Sequence, residues 1–582
     1  MENLLNRIGN LKLLLKKQIT LVLSSFSRKE WILFIVLFSI LVTSSLLILE
    51  NINQSFMVGV PERGGSISEG IVGSPHYINP VLAFSDADRD LTSLIYSGLM
   101  RKNGDGTLTP DLAEKYDISK DGLVYTFTLK NNLYFHNDEM LTADDVVYTI
   151  QTIKDPISKS PRKVNFDGVS IEKIDNKTIK FTLKQPHAFF LENMTIGILP
   201  KNVWDKSFIE LNDANINAVG SGPYMISNVN KTDNNITSYE LTSFKKFILG
   251  APYIKNIILN FYSNENEMIT ALEDGQVDQI SSIAPENAKD LESKDYNVKY
   301  SVLPRVFGLF FNQNQNQIFT NKTVVKAIND AINKDRIIKE VLQGYGVVIA
   351  DPIPPNMASY QEISSTTKDS REKSLEKVKA SLAKDGWNMG PSGYLEKTVT
   401  EKKKKTTTVL EFSISTSNTP DLAKSAEYIK EDLTAIGMKV DIKTFENGSL
   451  TQSVIRPRKY DALLYGQVIN NEGDLFAFWH SSQRNDPGLN VAMYTNAKVD
   501  KILEDAFVTI DEQSRIKKYS QFEDEIKKDM PAVFLYSPNF IYVVNKDLKG
   551  LNIDQINSPT DRFANIYSWY TETDNVWKIF AN

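Results

Sequence analysis

Four histidines, His76, His136, His187 and His480, are the side chains of this 582-residue chain best suited to proton transfer or metal ligation near neutral pH. No two stand four residues apart, so no pair shares a helix face as a helical zinc site requires. There is no cysteine. That one count removes thiolate nucleophiles, thiolate metal ligands, disulfides and a lipid-modified cysteine together. Neither a G-x-S-x-G elbow nor an H-E-x-x-H run occurs, so serine and zinc hydrolases have no local signature here. His480, beside Trp479, is a metal or haem ligand on one reading and a packed side chain on the other. No catalytic residue is assigned, and neither a cofactor nor a metal is expected. A hydrolase stays as a rival that turnover of peptides would reveal.

The chain is too long for one hydrophobic core, so at least two packed lobes must position whatever chemistry it has. Hydrophobic residues make up 41% and charged residues 24%, the balance of a folded globular protein. The net charge of −6 is unevenly spread. Residues 1–30 hold six basic side chains (Arg7, Lys12, Lys16, Lys17, Arg28, Lys29) against Glu2 and Glu30. Of the 66 basic and 72 acidic residues, 60 and 70 lie beyond residue 30, so the body carries no field that would hold nucleic acid. The lysine-rich tract Glu401 to Thr408 reads as a solvated hairpin tip rather than a polyanion site.

Trp31 to Leu49 is a run of nineteen residues without a charge. As a helix it rises about 28 Å, close to the roughly 30 Å of a bilayer core. The basic flank predicts residues 1–30 in the cytoplasm, 31–49 across the membrane, a linker at 50–64 and all that follows outside the cell. A cleavable signal peptide is the rival reading. The run is longer than an ordinary signal core, and Leu46 to Glu50 is a poor cleavage context. The stretch ahead of it, LLNRIGNLKLLLKKQITLVLSSF, is either an amphipathic helix on the inner leaflet or a plain basic flank.

Past residue 64, strand and helix signals alternate. Strands are predicted at 123–129, 178–183, 257–262 and 540–544 from β-branched and aromatic residues. Helices are predicted at 143–153, 265–273, 323–342, 374–384 and 422–436 from apolar residues three and four apart. Thr142 reads as an N-cap with Asp144 and Asp145 in the first turn, and Gly275 as a left-handed helix stop. Gly220 and Gly222 read as turn residues with backbone freedom, and Lys334 to Arg336 as a solvent-facing helix surface. Such a mixture gives an α/β class with mixed sheets.

Residues 121–150, DGLVYTFTLKNNLYFHNDEMLTADDVVYTI, resemble the signature stretch of the family 5 extracellular solute-binding proteins, the oligopeptide- and dipeptide-binding components of ABC importers. Asp111 to Glu114 precedes it in the same order. Val219 to Tyr224 is similar to the family's G-[ST]-G-P-Y turn, Ala271 to Asp278 to its A-L-x-x-G-x-x-D helix end, and 310–344 to its long N-x-x-x-x-x-F run. Tyr494 to Asn496 followed by Val499-Asp500 resembles its last motif. The likeness spans about residues 65–575. Two departures stand out. The family's lipobox cysteine is missing, so a transmembrane helix replaces the lipid anchor. Where many members carry an Asp-Pro after a Gly-containing strand, Glu472-Gly473 follows Tyr460 to Gly466.

The resemblance implies a two-lobed periplasmic-binding-protein-like clamp with mixed sheets and a double-crossing hinge, preceded by one N-terminal transmembrane helix. Lobe I would comprise 62–303 plus 536–582 and lobe II 304–535, with crossings near Pro304 and near Tyr536 to Pro538. A peptide would need an acid for its amine and an arginine fork for its carboxylate. Glu472 or Asp474 would be the acid, and Arg484 or Arg305 the arginine. Phe84, Phe307, Tyr465 and Trp479 would line side-chain pockets or else be plain core. Implied partners are a peptide or another small solute (an oligosaccharide, nickel complex or opine-like compound on the same fold), ABC permease subunits, and the membrane through 31–49. A monomer is expected. A membrane-anchored peptide sensor or chaperone-like binder without a transporter is the alternative.

Overall fold

A computed structural model describes residues 16–580, apart from 19, 23, 234, 362–369 and 402–403. Most of the stretch expected to be amphipathic, and residues 402–403 of the expected hairpin tip, lie outside the described residues. The chain divides into two compact units, Met1–Glu62 with Glu572–Asn582 and Arg63–Thr571.

In the first unit, helix Arg28–Phe56 runs for 29 residues and is long and apolar enough to cross a membrane. Its start is a capping box. Ser27 Oγ accepts from the Glu30 N–H, and the Glu30 carboxylate accepts from the Ser27 N–H at 2.7 Å. The helix exceeds the apolar run at both ends, because Glu50 to Phe56 contains no proline or glycine to stop it. Much of the expected linker is therefore helical, and strand Met57–Pro61 follows at once. That strand pairs antiparallel with Thr573–Trp577. Strand Thr573–Trp577 thus belongs to the unit of the helix rather than to Arg63–Thr571.

The second unit is mixed α/β. Its largest sheet runs, strand by neighbouring strand, from Lys439–Phe445 through 411–417, 462–468, 305–311, 532–544, 279–281, 64–72 and 254–262 to 235–243 and 224–232. Parallel pairs (64–72 on 254–262, 411–417 on 439–445) sit beside antiparallel ones. A separate four-stranded antiparallel sheet holds 113–118, 124–129, 178–182 and 170–173.

Strand Ala532–Val544 joins the two ends of the large sheet. Its first half pairs with Arg305–Phe311 and its second half with Asn297–Val302. Pro304 lies between those two partners, and Pro538 sits where the ladder changes hands. A proline, lacking an N–H, is tolerated there as it would not be mid-ladder. In two of the four hydrophobic clusters, Phe189 packs with residues 306–534 and Tyr345 with residues 268–291 and 541–543, whereas the other two divide at the same place. One is built from residues 67–303 and 540–569, another from 309–464 and 533–536.

Most predicted elements recur within a few residues: helices Ala143–Lys154, Glu265–Glu273, Arg371–Lys384 and Pro420–Ala435, and strands Val124–Leu129 and Thr178–Thr182. The helix predicted at 323–342 is two helices, Lys322–Ala331 and Lys334–Glu340. Asn333 breaks it by capping the second, its side chain accepting from the Arg336 N–H at 3.1 Å. Lys334 is half-buried there rather than fully solvent-facing, and burial lowers its pKa to about 8. Gly275 takes φ +70° as expected of a left-handed stop. Gly220 and Gly222 are needed for a different reason from the one expected. A Cβ on Gly220 would stand 2.0 Å from the Ile95 carbonyl oxygen, so close approach, not φ, demands glycine.

The C-terminal part is pinned by buried charge. Arg562, fully enclosed, donates to Asp90 (Nη2 to Oδ2, 2.6 Å) and to Glu69 (Nε to Oε1, 2.8 Å). Tyr542 OH and Gln279 Nε2 each donate to Glu69 Oε2 at 2.8 Å.

Candidate functional site

Strand Ala462–Val468 ends in Ile469 and then the acidic turn Asn470 to Asp474. The turn closes on itself. Asn470 N–H donates to Asp474 Oδ2 at 2.8 Å, and Gly473 N–H donates to Asn471 Oδ1 at 2.9 Å. Asp474 then opens the short helix Asp474–Trp479. Glu472 is 4% exposed, and its Oε1 accepts from both the N–H (2.9 Å) and the Oγ–H (2.6 Å) of Ser359.

Residues from far upstream and downstream meet this turn. Glu192 Oε2 accepts from Asn471 Nδ2 at 2.9 Å, and Asn557 Nδ2 donates to the Asn470 carbonyl at 2.6 Å. Phe189 lies against Gly473, where a Cβ would come within 2.7 Å of its ring, and the Arg515 guanidinium sits 5.0 Å from the centre of that ring. The Ala188 N–H donates to the Phe507 carbonyl at 3.0 Å. Residues 188–192 and 557 therefore form a joint with residues 470–515.

The joint has an excess of carboxylates. Burial first, then Asp474 and Glu472, push the Glu192 pKa up to about 7, with Lys102 and Asn471 pulling the other way. Burial also raises Asp474, partly offset by the Asn470 bonds. Raised above its ordinary value of 4.5, Glu192 favours the joint while protonated. The stability it lends is complete below pH 4.5 and is lost as pH rises through about 7. Wild-type melting temperature is expected to fall between pH 5 and pH 8 by more than that of Glu192→Gln. Parallel profiles for the two proteins would sink this assignment.

The remaining candidates are scattered. Trp479 is a core side chain, fully enclosed by Phe310, Tyr494, Phe522 and Phe534, as in the plain-core alternative. Phe307 stacks on Tyr536 with ring centres 4.9 Å apart and covers Gly466, while Tyr465 is half-buried on the neighbouring strand. Arg484 Nε donates to the Ser481 carbonyl at 3.0 Å, a local tie within its own turn. Arg305 is partly buried, its Nε has no partner among the described residues, and Asp86 offsets the burial of its charge. Phe84 is 66% exposed, two residues before that same Asp86. Arg305 stands opposite Val468 in its ladder, and the Ile469 N–H donates to the Pro304 carbonyl at 2.9 Å, so the Arg305 backbone adjoins the start of the 470–474 turn. His480 stacks on Phe476 at 4.2 Å and bonds Ser482, and no group of three metal-ligating side chains occurs among the described residues.

The sequence alone does not single out Glu192, Asn471, Ser359 or Arg515. Glu192 sits in HAFFLENM with no motif around it, and its partner is 279 residues away.

A mixed α/β body of this kind is the fold of extracytoplasmic solute-binding proteins. The structure of oligopeptide-binding protein AppA from Bacillus subtilis in complex with a nonapeptide matches it with a TM-score of 0.65 at 26% identity, covering 88% of this chain and 99% of that one. The ABC transporter substrate binding protein CtaP from Listeria monocytogenes matches with a TM-score of 0.74 at 25% identity, over 88% and 100%. Residues 107–488 match the model for bacterial extracellular solute-binding proteins, family 5. The chain belongs to that family. In sequence, AppA of Bacillus subtilis (strain 168) is 27% identical over 523 residues, 88% of this chain and 92% of AppA. The dipeptide-binding protein of Escherichia coli (strain K12) is 25% identical over 516 residues, 83% and 91% of the respective chains.

Proposed function

We propose that this solute-binding protein is the membrane-anchored receptor of an ABC importer. It closes residues 63–303 with 536–571 against residues 304–535 on a peptide, or a similar small solute, and delivers it to permease subunits. The observation that carries the reading is strand Ala532–Val544, which with the Leu303 to Arg305 passage links two separately packed cores. Two extended crossings can bend without remaking either core, as a hinge requires. The names of AppA and of the Escherichia coli relative support a peptide as cargo. The surplus of carboxylates at the 470–474 joint suits a ligand amine, and Arg305, whose Nε has no partner among the described residues, suits a ligand carboxylate. The helix Arg28–Phe56 supports the anchor, with the body outside the cell.

Removal of residues 1–55 is expected to leave a soluble, folded body, because none of the described residues up to 55 is among the side chains of its cores. Mass spectrometry of what co-purifies with that body names the cargo class. Adding the cargo should shrink the radius of gyration in small-angle scattering with helix content unchanged, at an affinity near micromolar, about −8 kcal/mol. An unchanged scattering profile at saturation would defeat the clamp.

A further inference from the structure

The C-terminal tail carries large apolar side chains that the cores do not absorb. Trp577 is 47% exposed, Ile579 72% and Phe580 73%, although strand Thr573–Trp577 and the turn Lys578–Phe580 are ordered. The strand is paired, residue for residue, with the segment that leaves the apolar helix, Met57 opposite Trp577. Trp577 Nε1–H also donates to Asn53 Oδ1 on the helix itself at 2.7 Å. Ile52 and Phe56, 48% and 60% exposed, lie on that same last stretch of helix.

Depth follows from helix geometry. Asn53 stands four residues past Leu49, about 6 Å beyond the end of the apolar run at 1.5 Å per residue. The headgroup layer occupies roughly 5–8 Å on each side of the hydrocarbon core. Trp577, held against Asn53, is therefore at interfacial depth, where tryptophan rings are favoured because one edge is apolar and the other donates a hydrogen bond. Lys578 can reach headgroups while its neighbours stay in the acyl boundary.

We propose that the tail Trp577 to Phe580 is a second membrane contact, seated in the outer-leaflet interface beside the spanning helix. The occupant of this apolar surface is lipid rather than a protein, because the surface is continuous with the exposed face of a helix that ends at the same depth. Both chain ends of the outer body, Arg63 and Thr571, run into this one ladder, so the body is tied to the bilayer through two strands. The inference rests on the anchor reading above, and its test separates the two.

With no native cysteine to remove, single-cysteine variants of the full chain can carry a nitroxide directly. The positions are Ile579→Cys and Phe580→Cys in the tail, Ile40→Cys within the helix and Lys299→Cys on the exposed surface of the body. The protein is placed in phosphatidylcholine vesicles containing a minority of phosphatidylglycerol. Accessibility to oxygen is then compared with accessibility to a water-soluble nickel chelate. Labels at 579 and 580 are expected to show an oxygen-to-nickel ratio several-fold above that at 299 and below that at 40. Ratios at 579 and 580 equal to that at 299, with 40 reading the bilayer core, would overturn the tail contact and leave the anchor standing. A label at 40 that reads water would overturn both.

Discussion

Replacing Arg562 by leucine is expected to destabilise the outer body by about 3–5 kcal/mol, the usual cost of removing one member of a buried ion network. The guanidinium is the only cation touching Glu69 and Asp90 among the described residues, and all three side chains are enclosed. Leucine fills much of the volume but leaves two carboxylates facing each other away from water, so one must take up a proton or the site must open. The remaining donors, Tyr542 and Gln279 to Glu69 and Thr560 to Asp90, cannot supply the missing positive charge. The loss should read as a lower urea midpoint with unchanged slope. Adding Glu69→Gln and Asp90→Asn to the leucine variant should recover part of it, since the uncompensated charge is then gone. A midpoint shift worth less than about 1 kcal/mol would show that the network is not what pins residues 559–563 to strand 64–72.

Glu472→Gln is expected to weaken binding of a free-amine peptide by about 2–5 kcal/mol, the range for losing one partner of a buried charge pair. Glutamine retains a side-chain oxygen that can go on accepting from Ser359, so the turn keeps its shape while the charge disappears. Only electrostatics changes. Calorimetry should show wild type preferring a free-amine peptide over its N-acetylated twin, and Glu472→Gln losing that preference. Ser359→Ala is the companion variant: it loosens the turn but leaves the charge, so it should lower affinity for both peptides alike. If wild type binds the two peptides equally, Glu472 serves the packing of the turn and the amine logic of the family does not reach this protein.

Elements whose formation depends on neighbours three or four residues away are legible along the chain. Helix 265–273 with its Gly275 stop, helix 143–154 with its first-turn acids, and the apolar run inside helix 28–56 all announce themselves through local periodicity and capping. The break at Ile332–Asn333 is hidden because an apolar stripe persists across it, and the Asn333 cap is a matter of one side-chain hydrogen bond. The role of Gly220 is hidden for another reason. Its constraint is the Ile95 carbonyl, 125 positions earlier, and nothing near Gly220 records it.

At the candidate site, the order of residues places Glu472 and Asp474 just after a strand, and composition leaves no cysteine or helical histidine pair to compete for chemistry. Which charges leave water is settled only in the folded chain. Ser359 reaches Glu472 across 113 residues and Asn471 reaches Glu192 across 279, so the burial that pushes Glu192 to about 7 is invisible along the chain. Trp479 and Phe84 make the same point from the apolar side, one enclosed by four aromatic rings and the other left open to solvent. Periodicity depends on bonds between near neighbours, which a sequence displays. Desolvation depends on what the remainder of the chain brings to a point in space, which only the folded body displays.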